Sequence, residues 1–217
     1  IQKFIANTKF IPIILDLCNH DDTQKIFLSI KPDYFFNCAA QSVVNQNENM
    51  NSINTMMTNT IAPLLHLELI REYNDKCRYF SCGSSEEFGN IKYTPQDLNH
   101  PYNPINIYGI SKLSTHHLIK YYRDNYNIFC CHAILYNHEG IKRRKNFVTR
   151  KITSGVAKIK LSIDNNITPQ PLLVGNINSK RDWSDSSDFV RAYWKILNQN
   201  KADDYILSSG KVHSVKE

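Results

Sequence analysis

Short apolar runs alternate with stretches of helical length along most of this 217-residue chain, and that alternation restricts the fold more than any other feature. FIPIIL at 10–15, DYFFNCAA at 33–40, CRYFSC at 77–82 and NIFCCHAILY at 127–136 read as buried strands, being brief and rich in apolar and aromatic residues. Between the first two, DDTQKIFLSIKP offers Asp as an N-cap, Ile26, Phe27 and Ile30 at helical spacing, and Pro32 as a stop. A longer helical segment follows at about 47–72, interrupted near Pro63, and another at about 107–124. Strand, helix, strand with short connections closes as a parallel sheet covered by helices, so the expected class is α/β with a Rossmann-like, doubly wound sheet. In such a sheet the carboxyl ends of the strands carry the ligands.

After residue 136 the character changes. Val148, Ile152, Val156 and Ile159 make one helical face, PLLVG at 171–175 reads as a short strand, and Phe189, Val190, Tyr193, Trp194 and Leu197 line a further helix. The expected organisation is a main domain over 1–136 and mainly a smaller lobe over 137–217. No run approaches the roughly 18–20 apolar residues that span a bilayer, and the first residues lack a signal peptide's layout, so a soluble, cytoplasmic protein without membrane contact is expected. The charge of +6 is mild, and its Lys and Arg are scattered except for IKRRK at 141–145. That balance suits anionic small molecules, and no fold signature supports nucleic acid. Six cysteines, at 18, 38, 77, 82, 130 and 131, show no CxxC or His-Cys spacing. They are expected to be reduced, mostly buried thiols with no metal.

The strongest chemical signal is Tyr108-Gly-Ile-Ser-Lys112, which puts a phenol and an ammonium on one helical face. A tyrosine near its ordinary pKa of about 10 is a poor base at neutral pH, and a lysine one turn away is expected to lower that value. Upstream, CRYFSC runs into GSSEEFG at 83–89, which brings Ser84, Ser85 and Glu86 to a strand's carboxyl end, where hydroxyl and carboxylate suit acid and base work. His116, His117, His132 and His213 read as packed or exposed structural residues.

SSEEFG followed by YGISK resembles the extended short-chain dehydrogenase/reductase family, and within it the GDP-mannose 4,6-dehydratases, which carry Ser/Thr-Ser-Glu-x-Tyr-Gly before Tyr-Gly-x-x-Lys. NHEGIKRRKNFVTRKI at 137–152, GNINSKRDW at 175–183 and GKVHSV at 210–215 are similar to further family segments. The resemblance implies a redox-neutral dehydration of GDP-mannose with NADP as internal hydride carrier. Tyr108 would take the 4-hydroxyl proton, Ser84 would help pass it, Glu86 would remove the C5 proton, and Lys112 would bind the nicotinamide ribose. It also implies that Asp16 and Leu17 lie near the adenine, that Cys38, Ala39, Ala40, Gln41 and Ser42 line the cofactor, and that His138 and Arg143 complete its cleft. Ser85, Asn137, Asn146, Lys151, Gly175 and Arg181 would meet the substrate. On this reading 1–136 is the dinucleotide-binding domain and 137–217 mainly the substrate-binding lobe. The long helices near 47–72 and 107–124 would pair across a two-fold axis in a homodimer or homotetramer.

The match has gaps. Residues 1–36 contain no glycine, so the family's GxxGxxG turn is absent. The sheet is thus expected to be N-terminally truncated, the lobe to end early, and the chain by itself to bind NADP weakly and be inactive. Ile53 stands where the family often has a cofactor-contacting Tyr, and GIKRR replaces SPRRG, with Lys142 for its first Arg and Arg144 for its Gly. Two alternatives stay open: a 4,6-dehydratase for another nucleotide sugar such as dTDP-glucose, or a catalytically silent sugar-nucleotide-binding subunit.

Overall fold

The computed structural model describes residues 9–42 and 51–217. Helix α1, His20–Ile30, starts where the Asn19 side chain accepts the Asp22 N–H and stops at Lys31, which adopts φ 46° before Pro32. The cap is therefore Asn19, not the Asp expected: Asp21 and Asp22 sit inside the first turn, where their charge favours the helix dipole. Strand β1, Tyr34–Asn37, follows.

Next come α2, Ser52–Met56, a π-helical turn over Met57–Ile61, and α3, Ala62–Tyr73. Residues 47–50 of the expected helix lie outside the described residues. The expected break at Pro63 takes a specific form. Proline has no N–H for the carbonyl four residues back, at Asn59, and the Thr115 hydroxyl donates to that oxygen at 2.5 Å. The chain continues through β2, Arg78–Cys82, a 3-10 turn at Ser85–Glu87, α4 over Ile107–Tyr126, and β3, Cys130–Leu135. Strand β4, Asn137–Glu139, helix α5, Val148–Asp164, strand β5, Lys180–Asp185, helix α6, Ser186–Leu197, and strands β6, Asp204–Leu207, and β7, Val212–Ser214, complete it.

Strands β1-β2-β3-β6 form one sheet in that order, each pair parallel. Successive residues face opposite sides, so Tyr79 and Cys130 join Phe27, Leu67, Ile70 and Ile119 on one face, while Phe80 and Cys131 join Phe189, Tyr193, Ile196 and Leu197 on the other. Helices thus cover both faces, and the Rossmann-like, doubly wound class holds. A second sheet, β4-β5-β7, pairs β4 with β5 in parallel and β5 with β7 antiparallel. Among the described residues no helix is long and apolar enough to cross a membrane.

Several expectations fail. FIPIIL at 10–15 forms no strand, and Phe10, Ile11, Ile13 and Ile14 are exposed, because no described strand lies beyond β1 to pair with it. PLLVG at 171–175 is irregular for the same want of a partner, with Leu173 exposed. In α6, Val190 and Trp194 are exposed and the buried stripe is Phe189, Tyr193, Ile196 and Leu197. That helix and β6 belong to the first sheet rather than to a separate lobe, since α6 supplies its second cover. Of the six cysteines only Cys77, Cys130 and Cys131 are buried; Cys38 is exposed, Cys18 and Cys82 half-buried.

Candidate active site

The chemistry converges where β2 and β3 end. Ser84 caps the 3-10 turn after β2, its hydroxyl accepting the Glu86 N–H at 3.3 Å while the Glu87 carboxylate accepts the Ser84 N–H at 2.8 Å. Asn106 performs two jobs at the start of α4: its carbonyl oxygen caps Gly109 N–H, and its amide donates to Glu86 at 2.9 Å. Gly109 lets the helix come this close, since a Cβ there would lie 2.5 Å from the Glu86 carbonyl oxygen. Ser84, Ser85, Glu86 and Tyr108 share a cleft of about 170 Å³ with Ser42, Asn137, His138 and Arg143.

Lys112 lies beneath this cleft, buried, and donates to the Cys82 carbonyl at 2.7 Å. Its ammonium is 5.9 Å from the centre of the Tyr108 ring. The expectation that Lys112 lowers the tyrosine's pKa is not met: burial pushes Tyr108 up to about 12, against the pull of its bond with Ser84. Burial also lowers the Lys112 pKa, with the neighbouring thiol of Cys82 and the charge of Glu87 opposing.

On the cofactor side of the resemblance, residues 38–42 leave β1 and are clamped by Asn59 of the π-helical turn. Its carbonyl oxygen accepts the Gln41 N–H at 2.8 Å, its amide donates to Gln41 O at 3.0 Å, and the same amide reaches Ser111 of α4. His138 stacks on Phe189 with centroids 4.4 Å apart. Arg143 is paired with Glu139 at 2.9 Å and lies 3.5 Å above the Phe147 ring. Leu17 lines an apolar hollow against α1 and β1, and Asp16 is exposed. Arg181 lines an adjoining cleft of about 500 Å³ with Ser85, Glu86 and Asn137. Three expected substrate residues are not brought there: Lys151 lines a different groove along α5, Asn146 is exposed, and a Cβ on Gly175 would meet nothing within 4 Å.

Sequence reasoning missed the buried network behind the turn. Glu87, fully buried, receives His116 at 3.1 Å and His132 at 3.1 Å, and His116 reaches Asp204 at 3.2 Å through its other nitrogen. Arg123 closes the chain on Asp204 at 2.8 Å, and His132 meets Ser81 at 3.2 Å. Tyr108, Lys112 and His116 are successive rungs of one face of α4, so the network ties the Ser84–Glu87 turn to the tyrosine helix. The only sequence signal was that four-residue spacing. A metal does not suit the Glu87, His116 and His132 donors, although they lie within 4.8 Å of one another. The two rings stack at 4.3 Å with 13° between planes, so their in-plane lone pairs run side by side instead of converging.

Charge balance fits a protonated His116 between two carboxylates, with Arg123 as the second cation. Burial opposes that charge, but bonds to Asp204 and Glu87 prevail and raise His116 to about 9. Burial likewise opposes ionised Glu87 and Asp204, yet His132 and His116 hold Glu87, and His116 and Arg123 hold Asp204, down to about 2. Burial lowers the His132 pKa, so that ring is neutral. The signs give a stability window. The His116 contribution is complete below its unfolded pKa near 6.5 and is lost as pH rises through about 9. The carboxylate contribution is complete above about 4.5 and is lost as pH falls toward 2. Thermal melts are expected to peak between these limits, and a melting temperature still rising from pH 7 to 9 would contradict the charged His116.

A parallel sheet with a Ser, Glu, Tyr and Lys group at its carboxyl edge defines a Rossmann-like fold shared with solved dehydratases and epimerases of nucleotide sugars. RMD from Pseudomonas aeruginosa, complexed with NADPH, superposes with TM-score 0.82 at 21% identity, over 99% of this chain and 75% of that one. The dTDP-glucose 4,6-dehydratase from Bacillus anthracis, in complex with NAD, gives 0.80 at 16%, over 99% and 63%. The chain belongs to the GDP-mannose 4,6 dehydratase family, whose model matches residues 2–217. It is 36% identical to GDP-mannose 4,6 dehydratase 1 of Arabidopsis thaliana, over 93% of this chain and 55% of the relative. It is 34% identical to the Drosophila melanogaster dehydratase, over 93% and 50%. The chain thus spans about half the length of the curated relatives it matches.

Proposed function

We propose that the protein carrying this chain dehydrates GDP-mannose to GDP-4-keto-6-deoxymannose, with NADP as a retained hydride carrier. The observation that carries this reading is the convergence of Ser84, Glu86 and Tyr108 on one cleft. Family membership favours GDP-mannose over dTDP-glucose, the sugar nucleotide of the Bacillus enzyme. Residues 1–136 would bind mainly the cofactor and 137–217 mainly the sugar nucleotide. The chain's groups suit a nicotinamide dinucleotide. Lys112 has three N–H donors, one on Cys82 O, which leaves donors for ribose hydroxyls, and Asn59 fixes the exposed segment 38–42 beside it. When bound, that cofactor supplies reversible hydride transfer. Burial alone keeps the Tyr108 phenol protonated, so it would accept the proton of the sugar's 4-hydroxyl only once a bound cationic cofactor beside Lys112 stabilises its phenolate, with Ser84 as the relay. Glu86, oriented by Asn106, would remove the C5 proton once a 4-ketone has acidified it and pass that proton to the C6 hydroxyl, which leaves as water; Tyr108 would then return its proton to C5 as the carried hydride comes back to C6. Protein expressed from the complete reading frame is expected to convert GDP-mannose without added reductant. Turnover of dTDP-glucose in its place would sink the substrate assignment.

The assembly we infer is a homodimer or a tetramer built from such dimers. Ile53, Met57 and Ile61 on one helical stretch and Ile110 and Tyr121 on α4 are exposed, and a second copy would cover them. Light scattering is expected to give at least twice the protomer mass, and a strict monomer would count against the pairing.

A further inference from the structure

Cys38 follows the last residue of β1 and Cys82 is the last residue of β2, so the register pairing Asn37 with Ser81 sets the two cysteines side by side. Their sulfurs are 3.7 Å apart, the Cys82 thiol donating to Cys38. Adjacent strands run about 4.8 Å apart, within the roughly 4.4–6.8 Å Cα separation that a disulfide requires. Equivalent positions on neighbouring strands also face the same side, so a bond needs side-chain rotation more than backbone movement. Cys38 is exposed and Cys82 half-buried, whereas Cys77, Cys130 and Cys131 are buried. The bond from Cys82 lowers the Cys38 pKa to about 7; burial opposes this and the Lys112 ammonium assists it. The same contact and burial push Cys82 up. An accessible, acidified thiol beside a second thiol has the makings of an attacking and resolving pair.

We propose that Cys38 and Cys82 are a reversible dithiol–disulfide pair at the edge of the catalytic cleft, with Cys38 attacking and Cys82 resolving. The oxidant is a small-molecule disulfide of the glutathione type. The Cys38 thiolate attacks one oxidant sulfur, the oxidant's S–S bond breaks, and one small thiol leaves. Cys82 then gives up its proton and attacks the Cys38 sulfur, which releases the second small thiol. Both thiol protons end on the released thiols, and two electrons pass from protein to oxidant. Closing 3.7 Å to about 2.05 Å rotates the two side chains and cross-links segment 38–42 to the strand end whose carbonyl holds Lys112, a local shift at the cofactor side of the cleft. Weaker cofactor binding would follow from that shift, a consequence that rests on the function proposed above; the disulfide itself does not.

The test is titration of the folded protein with oxidised and reduced glutathione, an acid quench, alkylation and peptide mass spectrometry. The expected product is a Cys38–Cys82 linked peptide that reduction reverses. Cys82→Ser is expected to trap glutathione on Cys38. Should that variant fail to fold, wild-type alkylation at low reagent decides the order of reactivity, with Cys38 expected to be labelled first. Glutathione accumulating on wild-type Cys38 without the linked peptide, or Cys18 reacting ahead of Cys38, would overturn the proposal. Loss of the disulfide and loss of GDP-mannose turnover are separate readouts, so either idea can fail alone.

Discussion

Glu86→Gln is expected to reduce turnover of GDP-mannose by about 10²–10⁴-fold, the range a positioned general base contributes. The amide keeps the shape of the side chain and a carbonyl oxygen for the Asn106 amide, now 2.9 Å from the carboxylate, so the fold of the turn survives. What it cannot do is take a proton from C5. Oxidation at C4 depends on Tyr108 and remains, so the variant should accumulate bound NADPH when given GDP-mannose, visible by absorbance and absent from Tyr108→Phe. That difference separates the two proton transfers. Turnover of Glu86→Gln near wild type would remove Glu86 from its proposed role and leave Ser84 or a water as the C5 base to be sought.

Glu87→Ala is expected to have the largest effect on stability. It strips His116 and His132 of their shared carboxylate and the Ser84 N–H of its acceptor, all in buried surroundings. Removing one partner of a buried charged network costs about 3–5 kcal/mol, because the remaining polar groups stay buried without compensation. For a chain of this size that corresponds to a fall in melting temperature of roughly 6–20 °C. Adding His116→Ala should cost less than its separate effect predicts, since one of its two carboxylate partners is already gone. Simple additivity, or a melting temperature that does not move in Glu87→Ala, would show that the network is not formed in solution. Because Glu87 also anchors the Ser84 turn, Glu87→Gln should be better tolerated than Glu87→Ala: an amide oxygen can still accept the Ser84 N–H.

The sequence by itself determined the class of fold and singled out the candidate catalytic residues. Apolar runs at 33–40, 77–82 and 127–136 became β1, β2 and β3 because each apolar pattern met a parallel partner strand. Tyr108 and Lys112 were legible because helical spacing is a local property. FIPIIL and PLLVG misled for the opposite reason: a strand exists only with a hydrogen-bonding neighbour, and no local pattern reports whether one is there. Tertiary structure alone decided what surrounds the catalytic residues. Burial pushes the pKa of Tyr108 up, and the Lys112 ammonium donates to Cys82 O. The Asn59 side chain finds Gln41, and the Asn59 carbonyl that Pro63 leaves free finds Thr115, both far along the chain. Glu87, His116, His132 and Asp204 come from four separate elements and meet only when β2, β3 and β6 lie side by side under α4. Spacing along a chain encodes one helix face or one strand face, whereas a buried charge network is a property of faces brought together.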